Sequence, residues 1–242
     1  MAKHKKLKSL DEDWQTALAV VAHPDDLEYG AASAVARWTS QGKNVSYLLV
    51  TSGEAGIDAM PPEKTGPLRE AEERASAAVV GVNTVEFLKH TDGVIEYGLP
   101  LRRDIARAVR RHRPDVLITI NFQLTWGGPL LNMADHRWVG LAVLDGARDA
   151  ANRWIFPELL LEDLQPWDGV KQVLISGSPQ PTHAVDVSAY LDKGIESLKA
   201  HRAYIENLST DFNPETFLRT NAAFAGKRCG CKYAVAFEVM IV

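Results

Sequence analysis

The stretch "ALAVVAHPDDLEYGAASAVARWTSQG", residues 17–42, decides how the rest of the chain is read. Residues 17–22 form an apolar run of the length of a buried strand. The polar run "HPDDLE" breaks it, and "AASAVARWTSQG" follows with helical spacing, stopping near Gly42. Strand, polar loop and helix make one βα unit, and the alternation recurs along the chain. "NVSYLLVTSG" is a second strand that opens into the loop "EAGIDAMPPEKTGP". "LREAEERASAAVVGV" is predicted as a helix, with Pro67 near its start and Gly81 just past its end. "TVEFLK" is a short third strand, "LPLRRDIARAVRRHRP" a basic amphipathic helix ended by Pro114, and "DVLITI" a fourth strand. After the loop "NFQLTWGGPLLNM" comes a long helix, "ADHRWVGLAVLDGARDAANRW", with Asp135 and His136 at its start. "KQVLIS" and "HAVDVS" read as late strands around a turn, and "AYLDKGIESLKAHRAYIENL" as one helix. A helical stretch near 214–224 and the strand "KYAVAFEVMIV" follow.

Strands alternating with helices predict an α/β fold, a mostly parallel, doubly wound sheet covered by helices on both faces. In such sheets ligands bind in the crevice at the carboxyl ends of the strands. The loops "HPDDLE", "TSGEAG", "KHTDG" and "NFQLTWGGPLLNMADH" should therefore converge on one rim.

Composition bounds the function. The chain has 242 residues, 46% hydrophobic and 24% charged, as a single globular domain would. A net charge of −4 argues against a nucleic-acid binder that relies on a general basic surface. No apolar run approaches the roughly 20 residues of a membrane helix. Residues 1–14 are basic, lack a secretory signal, and read as a solvated tail. Cys229 and Cys231 supply only two thiolates, too few for a structural zinc site, and fit a reducing cytoplasm.

His23, Asp25, Asp26 and Glu28 crowd the end of the first strand. His23 and Asp26 are placed to share one ion, since an imidazole nitrogen and a carboxylate oxygen are both good ligands for Zn²⁺. The start of the "ADHRW" helix offers His136 as a third ligand, a set that also suits Fe²⁺. Asp25, between the two proposed ligands, would act as general base. Glu28 is expected to satisfy the N-terminus of the following helix. The plain alternative is a surface turn with a satisfied histidine, and residue chemistry alone does not fix the reaction.

"AHPDDLE" resembles the AHPDD-x-E hallmark of the LmbE-like, or PIG-L, family of zinc-dependent deacetylases. Other stretches are similar in the same order: "VTSGEAG", "LREAEERASAAVVGV", "RPDVLIT" before "MADHRWVG", and "HAVDVSAYLDKGIESLKAH". The likeness spans nearly all of residues 16–208. It implies a Rossmann-like fold, His23, Asp26 and His136 as zinc ligands, and Asp25 as base. It also makes Arg69 a substrate contact, unless that side chain merely pairs with Glu72 or Glu73 at the surface. Asp92, in "HTDG", is a further substrate-facing candidate. Trp126 would either stack on a sugar face or fill a gap under its loop. Asp135 keeps its family position and would orient an imidazole.

The chain departs from the family at Met133, where a histidine is usual and is credited with stabilising the oxyanion or protonating the leaving amine. His183, ahead of "AVDVS", is the candidate replacement, brought in by a loop or a neighbouring subunit; His201 reads as structural. The implied activity is removal of an N-acyl group, most simply acetyl, from a small amino-sugar substrate, with a homo-oligomer as the family-based expectation. The rival readings are an amidase acting on sugar-thiol conjugates and a non-catalytic metal- or ligand-binding member.

Overall fold

The computed structural model describes residues 6–208 and 211–242. The decisive apolar stretch is a strand, β2 (Thr16–Val21), buried from Ala17 onward. Its side chains alternate between two cores. Leu18, Val20 and Ala22 join one apolar cluster, and Ala17, Ala19 and Val21 join the other. A strand covered on both faces must be apolar on both, which is why no polar residue interrupts the run.

The remaining strands are β1 (Lys8–Ser9), β3 (Asn44–Leu49), β4 (Thr84–Phe87), β5 (Val116–Ile120), β6 (Gln172–Ser176), β7 (His183–Asp186) and β8 (Ala234–Ile241). They form one sheet in the order β1-β7-β8-β6-β5-β2-β3-β4. Neighbours run parallel except around β8, which lies antiparallel between β6 and β7. The helices are α1 (Ala32–Ser40), α2 (Pro62–Val79), α3 (Leu99–His112), α4 (Ala134–Ala151), α5 (Leu191–Lys199), α6 (Arg202–Glu206) and α7 (Pro214–Cys229). α3 and α4 cover one face; α1, α5 and α7 cover the other, with α2 packed on α5. The doubly wound architecture is the expected one.

Strand order places the site. From β2 the chain steps outward to β3 and β4, then returns to lay β5 along the other side of β2. The connections after β2 and β5 therefore diverge to opposite faces and leave a crevice at their carboxyl ends.

Four local expectations differ from the structure. Residues 6–14 are not a solvated tail: Leu7, Leu10 and Trp14 are buried, and Lys8–Ser9 pairs with β7. Apolar side chains between the lysines make the segment a sheet edge; residues 1–5 lie outside the described residues. α2 starts at Pro62, where the missing N–H removes no helix bond, so Pro67 falls inside the helix. The single late helix is two, α5 and α6, because the His201 backbone leaves helical geometry (φ −78°, ψ 54°). α7 runs on to Cys229 and stops where Gly230 takes a left-handed conformation (φ 86°).

Candidate metal centre

His23, Asp25, Asp26 and Glu28 follow β2 directly, and all are buried. The segment folds back in successive turns: the amides of Glu28 and Tyr29 both donate to the Asp25 carbonyl, at 2.9 and 3.2 Å. The Asp26 carboxylate accepts from the His23 amide at 2.8 Å, which holds ligand candidates three residues apart side by side. α4 begins under the β5 loop and delivers His136 from the other side of the crevice.

The three side chains converge. His23 Nδ1 lies 3.2 Å from His136 Nε2, and Asp26 Oδ1 lies 3.1 Å from His136 Nε2. Asp26 Oδ2 is 3.7 Å from His23 Nδ1. An ion bonded at about 2.0–2.1 Å in tetrahedral geometry keeps its ligand atoms about 3.3 Å apart, so the spacing fits. The hydrogen-bond network also assigns the tautomers. His23 Nε2 faces Asp92 Oδ1 at 3.0 Å and Asp135 Oδ2 at 3.3 Å, so it carries the proton and leaves Nδ1 free. His136 Nδ1 donates to Asn132 Oδ1 at 2.8 Å, which leaves Nε2 free. Two free nitrogen lone pairs and a carboxylate thus point at one another inside the protein, an arrangement that a cation resolves. These atoms can hold a metal ion.

The electrostatics set up a competition, since the same carboxylates favour a second proton on His23, which a cation has to displace. Burial alone would push the His23 imidazole down, but the carboxylates of Asp135, Asp26 and Asp92 outweigh it and hold its pKa well above the ordinary value. Burial would raise the Asp26 carboxyl, yet His136 and His23 hold it far below the usual range. The pocket favours positive charge.

Asp25 has a left-handed backbone, with φ at 97°, which only a few per cent of non-glycine residues adopt. Its carboxyl is pushed up to about 6, chiefly by burial and by repulsion from Asp26, against the pull of Arg69. Arg69, 2% exposed, is not a surface partner of its helix neighbours. Its Nη2 lies 3.2 Å from Asp25 Oδ2 and also bonds the Pro24 carbonyl, and Nη1 donates to Gly53 O at 3.0 Å. The Arg69–Asp25 contact is an ion pair without hydrogen-bond alignment, since Asp25 Oδ2 accepts no hydrogen bond.

Other candidates are placed as follows. Asp135 accepts from the Gly93 and Ile95 amides at 2.7 and 3.2 Å, and Asp92 from the Ala55 amide at 2.8 Å. Both carboxylates therefore face His23, and Asp92 ties the loop after β4 to that after β3 while Asp135 ties it to α4. Trp126 is half-buried, edge-on to His136 with ring centroids 5.5 Å apart, and packs against the core around β5. Met133 stands at the N-cap of α4, is 52% exposed, and its side chain offers no donor. His183 is not brought to the cluster within the chain. Its ring bonds Thr182 Oγ1 at 2.8 Å, and β8, β6 and β5 intervene before β2. At about 4.8 Å per strand that is about 19 Å. Glu28 does not cap α1, whose first turn holds no acid. It is buried instead, accepting from Ser76 Oγ at 2.9 Å beside His201.

Sequence reasoning missed Asn132, which donates to the carbonyls of Asn121 and Gln123 at 2.7 and 3.0 Å while it accepts from His136. Its signal was the Asn132–His136 spacing of four ahead of a helix, too common to single out. Glu73 was weighed only as a surface partner of Arg69. It is fully buried, and its Oε2 accepts the Asp25 amide at 3.1 Å.

The chain is 25% identical over 232 residues to the diacetylchitobiose deacetylase of Thermococcus kodakarensis, covering 95% of this chain and 84% of that protein. It is 27% identical over 236 residues to a 1D-myo-inositol 2-acetamido-2-deoxy-alpha-D-glucopyranoside deacetylase of Acidothermus cellulolyticus, covering 79% and 80%. The solved N,N′-diacetylchitobiose deacetylase of Pyrococcus horikoshii superposes with a TM-score of 0.86 at 24% identity, over 95% of this chain and 85% of that one, so the fold is shared. The PIG-L profile, described as GlcNAc-PI de-N-acetylase, matches residues 18–147, a span that contains His23, Asp26 and His136. With more than half of its length matched and the three converging donors inside the match, the chain belongs to the PIG-L family.

Proposed function

We propose that the protein is a zinc-dependent hydrolase that removes the N-acetyl group from an N-acetylglucosamine-type substrate, releasing acetate and the free amine. The observation that carries this reading is a buried aspartate base, Asp25, beside three converging ligand atoms. The names of the relatives support the substrate class. Zinc, when bound, supplies a positive charge that polarises the acyl oxygen and lowers the pKa of water.

The chain's own residues do the rest. His23 and His136 present unprotonated nitrogens because Asp92, Asp135 and Asn132 take up their other ring positions. Asp25 takes the proton of the attacking water. Burial raises its carboxyl above the usual carboxylate range, which favours taking that proton and later returning it. Met133 carries no proton to the leaving amine, so Asp25 is assigned both transfers. Arg69 holds the Asp25 carboxylate through this cycle. The free thiols of Cys229 and Cys231 fit a reducing cytoplasm, and no helix among the described residues is long and apolar enough to cross a membrane.

The test is acetate release from N,N′-diacetylchitobiose and N-acetylglucosamine by protein of known zinc content, beside Asp25→Asn. Release should require zinc, and the variant should keep its zinc yet lose at least about 10²-fold in kcat. A fully metallated wild type that releases no acetate refutes the substrate class. A variant as active as wild type refutes the role of Asp25.

A further inference from the structure

Behind Asp25 lies a second buried polar group that the reaction does not use. Glu28, Glu73 and His201 are almost wholly buried, with His201 Nε2 3.7 Å from Glu28 Oε2 and 3.6 Å from Glu73 Oε2. Ser76 and Ser197 close it from α2 and α5, their hydroxyls 2.7 Å apart. Two carboxylates and an imidazole placed in a core lose hydration that apolar residues of the same volume would not need. Among the described residues, the trio's side chains bond the loop backbone at Asp25, whose amide donates to Glu73.

We propose that Glu73, backed by His201 and Glu28, is a positioning residue for the hydrolysis, one that latches the left-handed backbone of Asp25 through its amide. Arg69 and Glu73 are four residues apart on α2 and so share one helix face. Arg69 grips the Asp25 carboxylate and Glu73 grips its backbone. A left-handed aspartate persists only where its surroundings over-determine it. Here the carbonyl accepts two amides, the N–H has Glu73, and the side chain has Arg69. The glycines of "SGEAG" belong to the same device, since a Cβ at Gly53 or Gly56 would collide with the Arg69 guanidinium. His201, from the break between α5 and α6, pairs with both glutamates and keeps Glu73 from being an isolated buried charge. Tyr204, on α6, lies against the Arg69 guanidinium at 4.3 Å, so the α5–α6 break supports both grips.

The test compares Glu73→Leu, which fills the volume without an acceptor, with Glu73→Gln, which keeps one. Hydrogen exchange of the Asp25 amide is read in the metal-free protein, and kcat, KM and zinc content in the loaded one. In Glu73→Leu the Asp25 amide should exchange at least about tenfold faster while the helices stay protected. Its kcat should fall at least about tenfold with KM little changed and one zinc retained. Glu73→Gln should restore both readouts most of the way, which a merely space-filling role would not do. An Asp25 amide as protected in the leucine variant as in wild type overturns the proposal, and so does a glutamine variant no better than leucine. Two zinc ions per wild-type chain, one of them lost in Glu73→Leu, would also overturn it by making the trio a metal site. The kcat readout rests on the hydrolase reading, whereas the exchange readout does not. A loosened Asp25 amide in a protein whose wild type releases no acetate would therefore sustain the latch and refute only the substrate.

Discussion

Asn132 divides its side chain between two tasks, and two substitutions separate them. Its oxygen accepts from His136 Nδ1, and its nitrogen donates to the carbonyls of Asn121 and Gln123. Asn132→Ala removes both. His136 is then free to carry its proton on Nε2, the atom that faces Asp26 and His23. Loss of such an outer partner typically lowers metal affinity 10–100-fold, about 1.4–2.8 kcal/mol. Asn132→Asp keeps the acceptor and should bind zinc within about threefold of wild type, since a carboxylate partner raises imidazole basicity. Both variants lose the donors. The Asn121 carbonyl is then left unpaired in a buried position, which costs about 2 kcal/mol and lowers Tm by about 4–8 °C in a domain of this size. Zinc affinity by competition with a chromophoric chelator, together with the Tm of the metal-free proteins, reads the two effects apart. If Asn132→Ala binds zinc as tightly as wild type, the tautomer argument fails. If Asn132→Asp loses as much affinity as alanine, the shape of the loop rather than the acceptor orients His136.

Other expectations are simpler. Burial opposes a charge on His201, but Glu28 and then Glu73 and Asp25 raise its pKa to about 9. A folded pKa above the ordinary 6.5 means stabilisation that is whole below about pH 6.5 and lost as pH rises through about 9, about 3 kcal/mol in all. Urea unfolding should show that decline in wild type and not in His201→Gln; parallel profiles would contradict it. His183→Ala should change turnover by less than about twofold, given the strands between it and the cluster, and a hundredfold loss would mean that a second copy brings His183 in. In Gly194→Ala the new Cβ would lie 2.9 Å from the Ser33 amide nitrogen, between α5 and α1. Thermal unfolding should register a loss of about 1–3 kcal/mol, and an unchanged Tm would show that the two helices separate freely.

The layers of the fold were legible because β2, β3, β5 and their helices satisfy the same apolar pattern locally and globally. Strand order was not, since nothing in "KYAVAFEVMIV" says that it lies antiparallel between two earlier strands. Ligand candidates could be named because His23, Asp26 and His136 sit where strands end or helices begin, positions that sequence marks well. Glu28 was misread as a cap because an acid ahead of a helix has the same local signature whether it meets solvent or a core histidine. His201 was read as a structural residue inside a helix, but it stands at a break: "LKAHRAYIENL" keeps helical spacing, and the imidazole at the break faces Glu28 and Glu73, distant in sequence. Arg69 illustrates the same limit. The resemblance made Arg69 a substrate contact and its spacing from Glu72 and Glu73 offered a surface pair instead, whereas tertiary packing turned Arg69 and Glu73 inward onto Asp25.

The placement of β8 has a consequence for biosynthesis. β7 reaches β6 only through residues 234–241, and β1 joins the sheet only through β7, so both wait for a segment translated after every other strand. His23, Asp26 and His136 have all left the ribosome roughly a hundred residues earlier, about 5–20 s at ordinary elongation rates. In the later part of that interval the nascent chain carries all three candidate ligands while the outer edge of β6 is unpaired and apolar. An ion captured then would tie the β2 and β5 loops together and favour the partly built sheet over edge-to-edge association. Metal supply during translation would thus set the yield of folded protein, well before it bears on turnover.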